Sequence, residues 1–132
     1  MEKEELIHEA FLALNHSYSP YSNYPVGAAI LMKDGSIVHG TNIENASYPA
    51  GICAERSALV SAYSRGYRKS DLKAMAVVSK GRTIAGPCGI CRQMLAEMAE
   101  KDMPIILANE SETIETTIRQ LLPMAFEAED MQ

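Results

Sequence analysis

The placement of three cysteines in two short motifs constrains most strongly what this chain can fold into. Cys53 stands in the segment "AGICAERSALVSA", and Cys88 and Cys91 form the Cys-x-x-Cys pair of "PCGIC". Each motif opens a segment with helical spacing of apolar residues. Residues three apart in the first turn of a helix lie on one side, so Cys88 and Cys91 can share a metal ion. If Cys53 binds the same ion, the fold must bring two helix N-termini together.

Apolar spacing divides the chain into alternating helical and extended segments. Spacings of three and four predict a first helix in "EELIHEAFLALNHS", and the Asp-Gly turn of "KDG" joins two strands into a hairpin. Strands that alternate with helices predict parallel pairing of the later strands, within a mixed sheet covered by helices. The segments after the first helix are the strands "VGAAILM" and "SIVHGTNIE", the helix "CAERSALVSAYSRG", the strand "AMAVVS", the helix "CGICRQMLAEMAEK", the strand "PIILAN", and a weak strand or short helix in "ETIETTIRQLLPMAF".

Length and charge limit the classes of function. The 132 residues suit a single domain spanning residues 1–132, and the formal net charge of −5 argues against a nucleic-acid partner, which is bound mainly through Lys and Arg. The N-terminus lacks the apolar stretch of a signal peptide, and no apolar run is long enough to cross a membrane. We therefore expect a cytoplasmic protein that acts on a small molecule. A reducing compartment keeps the three cysteines, an odd number, as thiols.

Three thiolates near helix N-termini match the ligand set of a catalytic zinc ion. The helix dipole and the free amide groups of a helix N-terminus favour thiolate over thiol. Catalytic zinc usually has three protein ligands and an open position for water, whereas structural zinc is closed by four. Glu55 follows Cys53 by two residues. If the metal lies over the helix end, Glu55 can act there as a base rather than as a ligand.

Each of these features has a simpler interpretation when it is taken alone. A lone cysteine is usually a small core residue, and a lone Cys-x-x-Cys pair often indicates structural zinc or redox chemistry. His8, His16 and His39 lack metal-ligand spacing, although a histidine could in principle close a structural zinc site. An enzyme that acts on a polynucleotide would need a basic groove, which the composition disfavours. The two motifs together use every cysteine and favour a catalytic zinc.

Several longer segments of the chain resemble the small homotetrameric cytidine deaminases, and the resemblance spans nearly the whole sequence. The matching segments are "SYSPYSNYPVGAAI", "TNIENASYPAGICAER", "PCGICRQML" and "LLPMAF". The resemblance implies an α/β fold of three layers, α-β-α, with a central mixed five-stranded sheet. It also implies one zinc ion per chain, a homotetramer with shared active sites, and a role in pyrimidine salvage.

The resemblance also implies roles for individual residues. Cys53, Cys88 and Cys91 would bind zinc, and Glu55 would carry protons. Arg56 would donate hydrogen bonds to the thiolates and offset their charge. The substrate would be bound by Asn42 and Glu44 at the ribose, by the backbone of Ala54 and the ring of Tyr24 at the base, and by Ala46, Tyr48 and Phe126 offered to neighbouring subunits.

The implied reaction is hydrolysis of cytidine and deoxycytidine to uridine and deoxyuridine with release of ammonia. The runner-up is deamination of another aminopyrimidine nucleoside, such as an antibiotic nucleoside. Tyr24 departs from the pattern, because the family typically has phenylalanine at this position, and its hydroxyl needs a hydrogen-bond partner. Arg92, next to Cys91, is given no direct role.

Overall fold

A computed structural model describes residues 2–131 and shows a five-stranded sheet between layers of helices. The strand order is β2-β1-β3-β4-β5. Strands β3 and β4 are parallel, whereas β1 pairs antiparallel with both β2 and β3, and β5 pairs antiparallel with β4. The elements are α1 (Lys3–Leu14), β1 (Val26–Met32), β2 (Ile37–Thr41), α2 (Ala54–Ser64), β3 (Leu72–Ser79), α3 (Gly89–Met98), β4 (Ile105–Ala108), β5 (Thr113–Thr116) and α4 (Ile118–Leu121).

The two faces of the sheet bury different sets of side chains. Because successive side chains of a strand point to opposite faces, each strand can serve two cores. One core contains α2 and α3 against residues such as Ile30, Met75 and Ile105. The other contains α1 against their neighbours, such as Leu31, Ala76 and Ile106. The structure therefore confirms the predicted mixed sheet of five strands and its three layers.

Two glycines let helices lie unusually close to the sheet. A Cβ atom on Gly40 of β2 would stand 2.3 Å from the backbone nitrogen of Ala58 in α2. A Cβ on Gly27 of β1 would stand 2.1 Å from the carbonyl oxygen of Ala10 in α1. Both distances are far below van der Waals contact with the backbone. Only glycine allows this approach, which fixes the position of α2 and its N-terminus on the sheet.

The main differences from the sequence expectations lie at segment ends. The second strand of the predicted hairpin stops at Thr41, and Ile43 instead makes isolated bridges with Tyr18 and Ile52. The last segment, predicted as a strand or a short helix, contains both: β5, then α4 capped by the side chain of Thr117. Among residues 2–131, no helix combines the length and the apolarity needed to cross a bilayer.

Candidate active site

The topology brings the two cysteine motifs to one edge of the sheet. Strands β2 and β3 both run antiparallel to β1, so they point in the same direction and end at the same edge. Helix α2 follows β2, and α3 follows β3. Their N-termini therefore begin beside each other, with Cys53 as the N-cap of α2 and Cys88 as the N-cap of α3. Ligands of open α/β sheets bind at such an edge.

The three sulfur atoms form a compact cluster with the dimensions of a zinc site. The Sγ atoms of Cys53 and Cys88 are 3.7 Å apart, and those of Cys88 and Cys91 are 3.5 Å apart. All three ligand atoms lie within 4.8 Å of one another. A tetrahedral zinc ion with Zn–S bonds of ~2.3 Å separates its sulfur ligands by ~3.8 Å. The donor set and its spacing therefore fit zinc.

The cysteines differ in burial and in their tendency to ionise. Hydrogen bonding from the Cys91 thiol lowers the pKa of Cys53 to about 5, and Arg56 acts in the same direction. The same pairing with Cys53, together with burial, raises the pKa of Cys91. Cys91 is fully buried, whereas Cys53 is half-buried and Cys88 is exposed. A first thiolate therefore forms at Cys53, the cysteine beside Arg56.

Arg56 lies in the first turn of α2 and faces the sulfur cluster. Its Nη2 atom donates to the Sγ of Cys53 at 3.8 Å. Its Nε atom is buried and has no hydrogen-bond partner among residues 2–131. A buried guanidinium nitrogen without a partner is costly unless negative charge lies close by. The thiolate of Cys53, which Nη2 contacts, supplies negative charge close by.

Glu55 is a buried carboxyl group in the wall of the cavity. Glu55 is only 4% exposed, and this burial raises the pKa of its carboxyl group to about 7. The negative charge of Cys53 also raises this pKa. A carboxyl group with this pKa exchanges protons readily near neutrality, which is the property required of a general acid and base.

A cavity of about 630 Å³ opens over this edge and collects most of the predicted site residues. Cys91 is fully buried and is not in its lining. Ala46 and Phe126 are also outside the lining, and both are exposed. The predicted site residues that do line the cavity are Tyr24, Asn42, Glu44, Tyr48, Cys53, Ala54, Glu55, Arg56 and Cys88.

Asn42 fastens the loop before β1 to the end of β2. Its Oδ1 atom accepts from the backbone nitrogen of Val26 at 2.9 Å and from the hydroxyl of Ser17 at 2.5 Å. Its Nδ2 atom donates to the carbonyl oxygen of Tyr24 at 2.9 Å. An amide nitrogen has two hydrogens, so one donor remains for a ligand in the cavity.

Glu44 binds the same loop through its carboxylate. Its Oε1 atom accepts from the backbone nitrogens of Tyr21 and Ser22 at 3.0 and 3.1 Å, and its Oε2 atom accepts from the Ser22 hydroxyl. The hydrogen bond from the Ser22 side chain is the main reason that the pKa of Glu44 is lowered. Asn42 and Glu44 therefore hold the cavity wall together and line it as well.

Three tyrosines, Tyr21, Tyr24 and Tyr48, line the cavity. Tyr48 is 77% exposed and meets Tyr21 edge to face, with ring centroids 6.5 Å apart. Tyr24 directs its hydroxyl to the hydroxyl of Ser79 at 3.1 Å, which supplies the partner that this phenol needs. Phe126 is exposed, and its carbonyl accepts from the side chain of Gln93 at 2.8 Å.

Sequence reasoning missed two kinds of residue at the site. Tyr21 and Ser22 line the cavity, and only the turn-rich segment "SYSPYSNYP" indicated a loop there. Arg92, which received no role, donates from Nε to the carbonyl oxygen of Pro87 and from Nη1 to that of Leu121, at 2.7 and 2.8 Å. It thus ties the metal-binding loop to the end of α4, a contact without a local sequence signal.

Comparison with known proteins agrees with this site. Residues 1–107 match the family described as the cytidine and deoxycytidylate deaminase zinc-binding region. A cytidine deaminase of Halalkalibacterium halodurans is 50% identical over 132 residues, covering 99% of this chain and 98% of its own. The crystal structure of a cytidine deaminase from Burkholderia pseudomallei, 42% identical, superimposes with a TM-score of 0.93 and covers 96% of this chain and 100% of its own. The chain belongs to the cytidine and deoxycytidylate deaminase family.

Proposed function

We propose that this chain, as one catalytic domain, hydrolyses the 4-amino group of cytidine and deoxycytidine, giving uridine, deoxyuridine and ammonia. The observation that carries the proposal is the meeting of a three-sulfur cluster and a buried glutamate in one cavity. Neither feature is explained by folding alone, because a buried carboxyl group without an ionic partner is costly. Together they form the apparatus of a zinc-dependent hydrolase.

One zinc ion per chain is held by Cys53, Cys88 and Cys91. When bound, it supplies a Lewis acid that makes a water molecule acidic near neutral pH. Three thiolates leave the centre with excess negative charge, and Arg56 offsets that charge through its contact with Cys53. Arg56 would therefore preserve the Lewis acidity that a bound zinc ion supplies.

Glu55 moves the protons of the reaction. It takes a proton from water as the oxygen adds to C4 of the ring, and it delivers that proton to N3. It then moves the second proton of the added water from the new C4 hydroxyl to the amine, which leaves as ammonia when the C4–N bond breaks. A pKa raised to about 7 suits both steps, because the group can accept and return a proton near neutrality.

Other residues of the cavity lining bind the nucleoside. Asn42 keeps one amide hydrogen available, and the Glu44 carboxylate has acceptor capacity beyond its three contacts with the loop. These groups suit the 3′-hydroxyl that cytidine and deoxycytidine share. The backbone of Ala54 and the ring of Tyr24 bind the base, and both residues line the cavity.

Ala46, Tyr48 and Phe126 serve neighbouring subunits in a homotetramer. All three are exposed in the single chain, and Met124, two residues before Phe126, is fully exposed. Exposed apolar side chains beside a site suggest an interface. A closed symmetric assembly lets every copy give and receive these groups. Sedimentation that shows a fully active monomer would contradict this part of the proposal.

The activity fits pyrimidine salvage in the cytoplasm, where a reducing environment keeps the three cysteines as thiols. The direct test is loss of cytidine absorbance, combined with metal analysis of the same preparation. We expect one zinc per chain, turnover of cytidine and deoxycytidine, and rejection of free cytosine by up to about 10⁴-fold, because the ribose groups would lose their partners. Active protein without metal, or equal efficiency with cytosine and cytidine, would refute the proposal. Turnover of a different aminopyrimidine nucleoside alone would favour the runner-up.

A further inference from the structure

Tyr24 lines the cavity, and its hydroxyl is bound by a residue behind the lining. The hydroxyl donates to the Oγ atom of Ser79 at 3.1 Å. Ser79 is not part of that lining. The contact spans 55 residues of sequence, so it reflects the tertiary fold rather than a local turn.

Ser79 is one of the few buried polar residues of the described chain. It is the last residue of β3, is 1% exposed, and stands opposite Val26 in the sheet. A buried hydroxyl is stable only when it has a hydrogen-bond partner. The phenol of Tyr24 is the side chain that provides one.

The other side of the Tyr24 ring is limited by the turn after β3. A Cβ atom on Gly81 would stand 2.9 Å from the Tyr24 hydroxyl oxygen and 3.1 Å from Cε1, so the ring lies directly against this glycine. Asn109, which is 6% exposed, donates to the carbonyl oxygens of Gly81 and Arg82 at 3.1 and 3.3 Å. Asn109 thus fixes the turn at Gly81, against which the Tyr24 ring packs.

We propose that Ser79 is a positioning residue for the base end of the cavity. It holds the Tyr24 phenol against the turn at Gly81, so that the apolar ring, and not its hydroxyl, meets the ligand. This inference rests on the proposed function. Positions 24 and 79 therefore act as one unit, in which the buried serine is the partner that a tyrosine needs and a phenylalanine does not.

A double-mutant cycle tests the unit, using Ser79→Ala, Tyr24→Phe and the combined variant of the zinc-loaded protein. Ser79→Ala frees the phenol to turn into the cavity. We expect it to raise both KM for cytidine and the inhibition constant of uridine about three- to tenfold, the range for one neutral hydrogen bond. The value of kcat should change less than about twofold, because the proton-transfer groups are untouched.

In the Tyr24→Phe background, Ser79→Ala should change neither constant further, since no phenol remains to be positioned. Thermal unfolding gives a second readout: Tyr24→Phe leaves the buried Ser79 hydroxyl without its partner and should unfold at a lower temperature than wild type, and the double variant should recover part of that loss. Tyr67→Phe is the matched control, because its hydroxyl donates to Asp34 at 2.9 Å away from the cavity. It should leave KM unchanged.

If wild-type protein deaminates cytidine, two outcomes would overturn this inference and leave the proposed function standing. One is a Ser79→Ala variant with unchanged constants. The other is the same rise in KM from Ser79→Ala in both backgrounds, which would show that Ser79 acts without Tyr24. Wild-type protein that neither binds uridine nor deaminates cytidine would overturn the proposed function, and this inference with it.

Discussion

The two ends of the cavity are built in different ways. At the metal end, Cys91 and Glu55 are buried at the starts of helices that pack on the sheet. At the other end, called the sugar end because we propose that ribose binds there, the wall is a loop attached to the end of β2 by the side chains of Asn42 and Glu44. The first end is positioned by backbone packing and the second by polar side chains.

This difference determines how each end should respond to substitution. At the metal end, packing holds the backbone, so a reactive group can be changed while the fold is kept. At the sugar end, the groups proposed to bind ribose also hold the loop, so a substitution alters binding and loop order together. The two carboxyl groups show the same contrast: burial raises the pKa of Glu55, whereas hydrogen bonds from Ser22 lower that of Glu44.

The largest effect is expected from Glu55→Gln. An amide cannot accept and return a proton, so kcat should fall by about 10²–10⁴-fold. Zinc content should stay near one per chain. Cytidine turnover and elemental analysis of the same sample measure both quantities. Glu97→Gln, an exposed change on α3, is the control and should keep full activity. Normal turnover in zinc-loaded Glu55→Gln protein would remove Glu55 from the mechanism.

The second test concerns the pH dependence of the metal-free protein. Glu55 has a folded-state pKa of about 7 against an ordinary value of 4.5. Below pH 4.5 both states carry the proton. As the pH rises to 7, only the unfolded state releases it, so the wild type should lose up to about 3 kcal/mol of unfolding free energy relative to Glu55→Gln. Urea unfolding of both proteins at pH 4 to 8 measures the difference, and parallel curves would contradict the raised pKa.

The third test separates the two tasks of Glu44. Glu44→Ala removes both the loop contacts and the proposed ribose contact, and it should lower kcat/KM for cytidine by about 10- to 100-fold with zinc content unchanged. Ser22→Ala removes one of the three contacts of Glu44 with the loop, and also the hydrogen bond from the Tyr24 backbone nitrogen to the Ser22 hydroxyl, but it keeps the carboxylate, so its loss should be several times smaller. Equal losses would show that Glu44 acts only by holding the loop. An unaffected Glu44→Ala enzyme would exclude both tasks.

The smallest effect is expected from Arg92→Ala, which loosens the metal end without touching a sulfur atom. The change removes the hydrogen bonds to Pro87 and Leu121 and should speed loss of zinc to a chelator by about tenfold. Arg119→Ala is matched in chemistry, because it breaks only the exposed ion pair with Asp102. If Arg92→Ala and Arg119→Ala released zinc at the same rate, Arg92 would not support the metal-binding loop.

Much of the fold could be predicted because its elements follow local rules. Apolar spacing indicated the helices and strands, and the Asp34-Gly35 turn indicated the hairpin; Gly35 indeed has a φ of 92°, which favours glycine. Segment ends were predicted less well. The "SIVHGTNIE" segment continues its apolar alternation past Thr41, but the chain there leaves the sheet to pair Ile43 with Tyr18 and Ile52. Local pattern carries no information about that choice.

The sequence by itself determined the chemistry available at the site: three thiols, a carboxyl group two residues after the first, and a Cys-x-x-Cys pair close together in one helical turn. Only the tertiary structure decided that Cys53 lies 3.7 Å from Cys88, that Ser22 binds Glu44, and that Ser79 binds Tyr24. Local spacing fixes which neighbours within a helix or strand share a side. Contacts between distant segments depend on the direction in which each strand crosses the sheet, and that direction is set by the packing of the whole chain.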